Sequence, residues 1–440
     1  MTSSGPPAGP GDVVELTIGP VAHGGHCVAR HEGRVVFVRH TLPGERVRAR
    51  LTDAGADARF WRADATEVIE ASSDRVEPRC PVSGPGGCGG CDWQHADVPA
   101  QRRLKAAVVA EQLHRLAGLQ IDAEDVTVER VPTPGPAGSE QGPDGPGDGL
   151  GWRTRVRLAV APDGRAGLRA HRSHAVIALV DCPIAHRGLG LPEILSRRWP
   201  DDAEIVVAGG DGQPPTVQSV RGSVTELESG PSRRREVAAG RAWRVSGAGF
   251  WQVHPGAADA LVEAVRQALQ PTTGDSLLDL YSGVGLFAGA LAGSLGESGR
   301  AVAVESDTNA VRDARRNLHD AEHVRLEHQR VDHYLRSPDA PRAVDVVVLD
   351  PPRSGAGRQV CRAIAGRRPR SIAYVACDPA ALARDVATFA EEGYVMTRLR
   401  AFDLFPMTHH VECVATLQRR DVQGRMVAHD VVEAYSSEIS

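Results

Sequence analysis

The chain carries a single lysine, Lys105, among 51 basic residues. Its positive charge is therefore almost wholly guanidinium, which suits bidentate phosphate contacts and base stacking. An Arg- and Ala-biased genome accounts for most of that skew. Positive charge is also short overall, with a formal net charge of −5. A global field that draws in phosphate is excluded, so nucleic-acid binding has to rest on local patches. Long apolar runs are missing too. None approaches the roughly 20 residues that span a bilayer, so no membrane association is expected. Met1-Thr-Ser-Ser-Gly-Pro-Pro-Ala-Gly-Pro10 lacks a basic start and an apolar core, which argues against a secretory signal and for a cytoplasmic protein. Residues 1–11 read as a disordered tail.

What is present is ordinary folding material: 440 residues, 41% apolar, enough for two to three domains. Residues 12–71 are strand-rich, with Val13-Val-Glu-Leu-Thr-Ile18, Arg34-Val-Val-Phe-Val-Arg39 and Val47-Arg-Ala-Arg-Leu51 alternating between Gly/Pro turns. Short strands at that spacing predict a small OB-like barrel. Its Arg and aromatic residues suit single-stranded RNA, and a protein-contact barrel reads equally well. A helix is predicted from Asp97 to Leu119, its Gln101-Arg-Arg-Leu-Lys105 run read as a solvated face. Residues 132–150 are a Pro/Gly-rich flexible insertion. In Trp152-Arg-Thr-Arg-Val-Arg-Leu158 a strand would turn Arg153, Arg155 and Arg157 to one face, which we read as phosphate-facing. Arg233-Arg-Arg235 reads as a basic loop.

Eight cysteines stand at 27, 80, 88, 91, 182, 361, 377 and 413. Without a secretory signal, clustered cysteines point to metal or catalysis rather than disulfides. In Cys80-Pro-Val-Ser-Gly-Pro-Gly-Gly-Cys88-Gly-Gly-Cys91 the glycines let backbone wrap around something small. Three thiolates need a fourth ligand: Cys182, followed by Pro, or His95, which would give a Cys₃His zinc site. An all-Cys set suits zinc or a four-iron cluster. Residues 72–240 thus form a central α+β domain with a metal site.

From residue 241 to 420 the pattern is βα, which predicts a doubly wound, Rossmann-like parallel sheet closed by an antiparallel hairpin. Residues 421–440 read as a mobile tail. Three strands end in chemistry. Ser276-Leu-Leu-Asp-Leu-Tyr281-Ser-Gly283-Val-Gly285 is a glycine loop, and Glu305 ends the next strand 22 positions beyond Gly283. A ribose-binding acid is expected at roughly 20. With no third glycine at the dinucleotide position, S-adenosylmethionine fits better than a pyrophosphate cofactor. Val344-Asp-Val-Val-Val-Leu-Asp350-Pro-Pro-Arg353 and Ser371-Ile-Ala-Tyr-Val-Ala-Cys377-Asp-Pro379 end in a carboxylate and a thiol at the sheet mouth. An amine needs no cysteine to be methylated, whereas C5 of uracil does. A thiolate adds to C6, C5 attacks the methyl group, and a base removes the C5 proton. The thiol is Cys377, and Glu412 at the start of the last strand is the candidate base.

The residues F-W-Q-V-H, L-D-L-Y-S-G-V-G-L-F, D-P-P-R, Y-V-A-C-D-P and H-V-E, in that order, resemble the SAM-dependent RNA uracil-C5 methyltransferase family, and the barrel resembles a TRAM domain. The likeness covers about Val13 to Arg419. It implies Cys377 as nucleophile, Glu412 as base, and Gln252, Tyr281, Glu305 and Asp350 around the cofactor and target base, with Asp332 near the adenine. It implies a 4Fe-4S cluster on Cys80, Cys88, Cys91 and Cys182. The expected partner is folded RNA, ribosomal or transfer, and not DNA, with the target uridine rotated out of its stack. Four positions depart from the pattern: Leu286 and His254 stand where Asn is frequent, Asp378 where Asn is common, and the gap from Cys80 to Cys88 is long. A non-catalytic RNA-binding assembly factor on the same fold is the alternative.

Overall fold

The computed structural model describes residues 8–55, 57–133, 149–210, 212–247 and 249–420. Residues 1–7, 134–148 and 421–440, where the sequence suggests tails and most of an insertion, lie outside the described residues.

The first unit is a five-stranded sheet in the order Val13–Thr17, Arg46–Asp53, Trp61–Glu70, Arg34–Arg39, Cys27–His31. Just past the first strand, Gly19 N–H donates to Val28 O at 2.7 Å and Val28 N–H to Pro20 O at 2.9 Å, so the sheet curls shut. Alternation does the sorting. Val14 and Leu16 point in while Val13, Glu15 and Thr17 stay out. The barrel core also takes in Trp93, Leu104 and Val108 from the chain that follows.

A six-stranded antiparallel sheet comes next, ordered Val224–Ser229, Gln213–Arg221, Glu204–Gly210, Arg155–Val160, Ala166–Arg169, Val176–Ala178. It corrects the expected phosphate-facing arginine row. Arg155 donates to Gly249 O at 2.7 Å and lies 3.2 Å from Glu236. Arg157 pairs with Glu204 at 2.6 Å. Glu204 on the neighbouring strand, and Glu236 from a separate hairpin, relieve the repulsion that an external anion was expected to relieve. The expected basic loop at Arg233–Arg235 is instead the start of strand Arg233–Ala238, paired with Arg241–Ser246, and Arg234 is buried.

The largest body is an eight-stranded sheet. Its order is Val324–His328, Arg300–Glu305, Ser276–Leu280, Val346–Leu349, Ser371–Ala376, Glu412–Arg419, Tyr394–Asp403, Val128–Arg130. Val346–Leu349 and Ser371–Ala376 are buried at every position, as strands covered on both faces must be. Glu412–Arg419 is antiparallel to both neighbours. The hairpin is not the edge, however. Val128–Arg130 pairs parallel to Tyr394–Asp403 outside it, and Arg400 grips Glu129 at 2.6 Å.

The helix Val98–Ala117 has Asp97 as its N-cap, accepting from Ala100 N–H, and Pro99 in its first turn. Its charged run is divided: Arg103 is exposed and Arg102 half-buried, as a solvated face requires, while its two ends turn inward. Gln101 and Lys105 have no exposed surface. Lys105 Nζ lies 2.5 Å from Asp403 and donates to Phe405 O at 3.0 Å. The only lysine thus bolts this helix to the strand and loop that lead toward Glu412.

Candidate active site

Three strand ends open on one crevice. Ala376 is the register partner of Cys413 on the antiparallel strand, so one step further sets Cys377 opposite Glu412. Asp350 ends the neighbouring strand, and its N–H donates to Leu280 O at 3.2 Å, beside Tyr281. On the far side Leu280 pairs with Val304, one step before Glu305. Cys377, Glu412, Asp350, Tyr281 and Glu305 therefore lie along one row of strand ends.

Burial sets the electrostatics. Glu412 is 4% exposed, and burial, then the nearby Asp350 charge, pushes its carboxyl well above the usual range, with Arg353 opposing. Asp350 keeps some surface on the crevice, yet burial pushes it up to about 7. Two carboxyls so placed cannot both ionise freely. Burial, then Glu412 and Asp350, pushes the Cys377 thiol up to about 12. Arg353 is the cation that counters both effects. It is held by His410, 3.2 Å away. Burial drives His410 down to about 3, so a neutral ring accepts from the guanidinium.

The glycine loop is shaped by backbone. Tyr281, Gly283 and Gly285 all have positive φ, at 63°, 54° and 87°. A Cβ on Gly285 would press within 2.8 Å of Leu318, whereas one on Gly283 would meet no protein atom within 4 Å. The loop thus presents bare backbone at Gly283 to an open crevice. Gly283 N–H donates to Glu305 Oε2 at 2.9 Å, and Ser306 and Asp307 N–H donate to Oε1. Beneath the loop, Asp279 Oδ1 and Ser282 Oγ are buried without protein partners. These features fit a nucleoside cofactor.

The remaining site positions sort themselves. Leu286 opens the helix Leu286–Leu295 and is buried in the core, so it faces packing rather than the crevice. His254 stacks on Trp152 at 6.3 Å, and its Nδ1 accepts from Gly256 N–H at 3.1 Å. That is the i to i+2 bond an Asn would make. Gln252 is half-buried in the same loop. Asp332, on the short helix Val331–Tyr334, is engaged by Arg330 at 3.0 Å and Arg336 at 3.4 Å.

Cys80, Cys88, Cys91 and Cys182 line one small cavity walled by Leu168, Leu179, Pro183 and Ile184. The long spacing from Cys80 to Cys88 is absorbed by a fold-back, with Cys88 N–H donating to Val82 O at 2.8 Å. A Cβ on Gly87 would collide with Val82 O. Gly90 N–H and Gln94 Nε2 donate toward Cys88 and Cys91 sulfur. Arg153, expected on RNA, instead lies close enough to favour the anionic forms of Cys88 and Cys182. The Cys₃His alternative does not assemble: His95 Nε2 lies 3.3 Å from Thr41 O, toward the barrel. Among the described residues no three His, Cys, Asp or Glu converge closely enough to hold a single ion.

The cavity and the crevice are joined by contacts that the sequence did not announce. Asp92, next to Cys91, accepts from His409 Nδ1 at 2.6 Å and from His409 N–H at 3.1 Å. Asp92 and Trp93 N–H both donate to Met407 O. The loop Phe405–Val411, which delivers Glu412, is therefore laced to the cysteine loop. Asp92 and His409 have neighbours of obvious interest in sequence, but no spacing signal links two residues 317 apart.

A glycine loop, an acid ending the second strand and a seven-strand core carrying one reversed strand define a class, the S-adenosylmethionine-dependent methyltransferases. A family model for tRNA (uracil-5-)-methyltransferase matches residues 239–420, and one for the TRAM domain matches residues 7–63. The chain is 50% identical over 438 residues to an uncharacterized RNA methyltransferase of Streptomyces avermitilis, spanning 93% of this chain and 98% of that protein. An uncharacterized RNA methyltransferase of Bifidobacterium longum is 37% identical, across 92% of this chain and 96% of the other. The crystal structure of Pyrococcus abyssi tRNA (uracil-54, C5)-methyltransferase with S-adenosyl-L-homocysteine shares the fold. Its TM-score is 0.64 at 22% identity, over 92% of this chain and 100% of that one. The chain belongs to this family of RNA methyltransferases, with a uracil-5-type catalytic part and a TRAM domain. No helix among the described residues is long and apolar enough to cross a membrane.

Proposed function

We propose that the protein methylates C5 of a uridine in folded RNA through a covalent bond between Cys377 and C6. The observation that carries this is the register placing Cys377 opposite Glu412 at the mouth of the sheet. S-adenosylmethionine supplies the electrophilic methyl group, and Gly283, Tyr281, Glu305 and Asp350 are the residues that would hold it and the target base. As Cys377 sulfur bonds to C6, its thiol proton is released and the C5=C6 electron pair moves onto the ring as an enolate. C5 then takes the methyl group. Glu412 removes the C5 proton, the C5–H electron pair restores C5=C6, and the S–C6 bond breaks. Arg353, facing both groups, favours the thiolate and the ionised base. The net change per turnover is one methyl transferred and one proton released.

A surface for RNA is the cleft between barrel and cysteine loop, where His26, Phe37, Arg39, Arg62, His171 and Arg172 outnumber the carboxylates Asp53 and Asp64. Arg62 stacks on Phe60 at 4.7 Å beside it. Cations interleaved with aromatic faces suit unpaired nucleotides. Whether the substrate is transfer or ribosomal RNA is tested by mapping 5-methyluridine in total RNA with and without the gene. A lost modification in one RNA class assigns the substrate, and unchanged maps overturn the reading.

Four thiols lining one cavity support a 4Fe-4S cluster, with zinc the alternative. Such a cluster supplies thiolate cross-links. In this role Cys80, Cys88, Cys91 and Cys182 brace the loop that Asp92 ties to His409. Methyl transfer has no redox step that would call on it.

A further inference from the structure

The turn between the first two barrel strands, Ala22-His23-Gly24-Gly25, reaches three functional neighbourhoods. Ala22 N–H donates to His26 O at 2.7 Å, which closes the turn, and Gly24 and Gly25 take positive φ. A Cβ on Gly25 would stand 2.8 Å from His409 Cβ and 3.2 Å from Asp92 Cβ. Glycine is what lets the turn approach that closely. Gly25 O accepts from Trp93 Nε1 at 3.0 Å. At the tip, His23 Nε2 lies 2.9 Å from Asp378 Oδ2. Asp378 directly follows Cys377, and its other oxygen accepts from Ala381 N–H at 2.8 Å to cap the helix Pro379–Glu391. One carboxylate ties the nucleophile's helix to the barrel.

We propose that His23 is a positioning residue for methyl transfer: by holding Asp378 it docks the barrel on the turn that carries Cys377 and fixes where the sulfur stands. This rests on the reading of Cys377 as nucleophile. A barrel that served only to carry RNA would leave the residue beside the thiol alone. The charged groups facing His23 are Asp378, the N-cap of the helix Pro379–Glu391, Arg384 within that helix, and Glu111 of the helix Val98–Ala117. The Asp378 hydrogen bond holds His23 above its ordinary range despite burial and Arg384. Asp378 in turn adds to the charge that opposes the Cys377 thiolate. A protonated His23 offsets that charge, so the same contact eases formation of the nucleophile. A charge-assisted pair of this kind is strongest below the raised His23 value and weakens as pH climbs through it.

The test uses the full-length protein, radiolabelled S-adenosylmethionine and total RNA from cells lacking the gene. His23→Ala should lower kcat about 10- to 100-fold, the cost of a misplaced reacting group, with KM for RNA held within about twofold. Asp378→Asn keeps a capping side chain but loses the charge. The double variant should be no slower than Asp378→Asn alone, because the two residues act as one unit. His23→Gln keeps a neutral donor, so the ratio of wild-type to variant rate should fall toward one as pH climbs above 6.5 and through the raised His23 value, and it guards against a misfolded alanine variant. A loss confined to KM, additive effects in the double variant, or a ratio independent of pH would each overturn the proposal. RNA carrying 5-fluorouridine separates the two levels. A wild-type adduct upholds the nucleophile whatever His23 does, and its absence overturns both.

Discussion

The crevice and the cysteine cavity both hold thiols that burial pushes up, Cys377 and Cys91 each to about 12. Their neighbours differ. Cys377 faces the carboxyls of Glu412, Asp350 and Asp378 and one guanidinium in a half-open cleft. Cys91 faces three other thiols among Leu168, Leu179 and Ile184, with backbone and amide N–H groups aimed at sulfur. On the proposed reading, a thiol beside acids gains and loses a bond in each turnover, and thiols beside one another in an apolar box keep theirs. Residue type decides neither role, and the surroundings decide both.

Changes at each thiol should break that comparison in different ways. The largest effect is expected for Cys377→Ala, with product formation falling on the order of 10⁴-fold or more while S-adenosylmethionine binding, read by calorimetry, persists. Glu412→Gln should slow turnover about 10²- to 10⁴-fold. It should also trap the RNA adduct with natural uridine, visible as a protein band of raised mass. In the cavity the order inverts. Cys88→Ala should weaken the fold, seen as a lower melting temperature, while each folded molecule still forms the adduct. Between the two sites, Lys105→Met leaves Asp403 buried and unpaired. It should cost about 3–5 kcal/mol of stability, measured by denaturant titration.

The smallest effect is a pH slope. Asp350 and Asp279 both sit raised to about 7 from 3.8 by burial. The folded state keeps these protons longer than the unfolded chain, so their contribution is complete below pH 3.8 and is lost as pH rises toward 7. Asp350→Asn should flatten the fall in denaturation midpoint across that window.

The sheet mouth was legible because its signals are local. Apolar strands stop at Asp350-Pro and Cys377-Asp-Pro, and Gly283 and Gly285 mark the loop where φ must be positive. The departures became intelligible only in three dimensions. His254 supplies the turn bond that an Asn would supply, Leu286 fills core, and Asp378 meets His23. What sequence hid is pairing at a distance. Lys105 looked solvated because Asp403 is 298 residues away. Arg155 and Arg157 looked like phosphate ligands because Glu236 and Glu204 come from other strands. Arg153 lies near the cysteine cavity, close enough to favour the anionic forms of Cys88 and Cys182. Charge runs read in one dimension carry no record of the carboxylates that fold against them.

The central claim is a bond between Cys377 sulfur and C6 of the target base. Incubating wild-type protein with S-adenosylmethionine and 5-fluorouridine RNA, then mapping the cross-linked peptide by mass spectrometry, tests it most directly. The account predicts a methylated fluorouridine adduct on Cys377 that Cys377→Ala abolishes. An adduct on another residue, or 5-methyluridine made by Cys377→Ala, would contradict it.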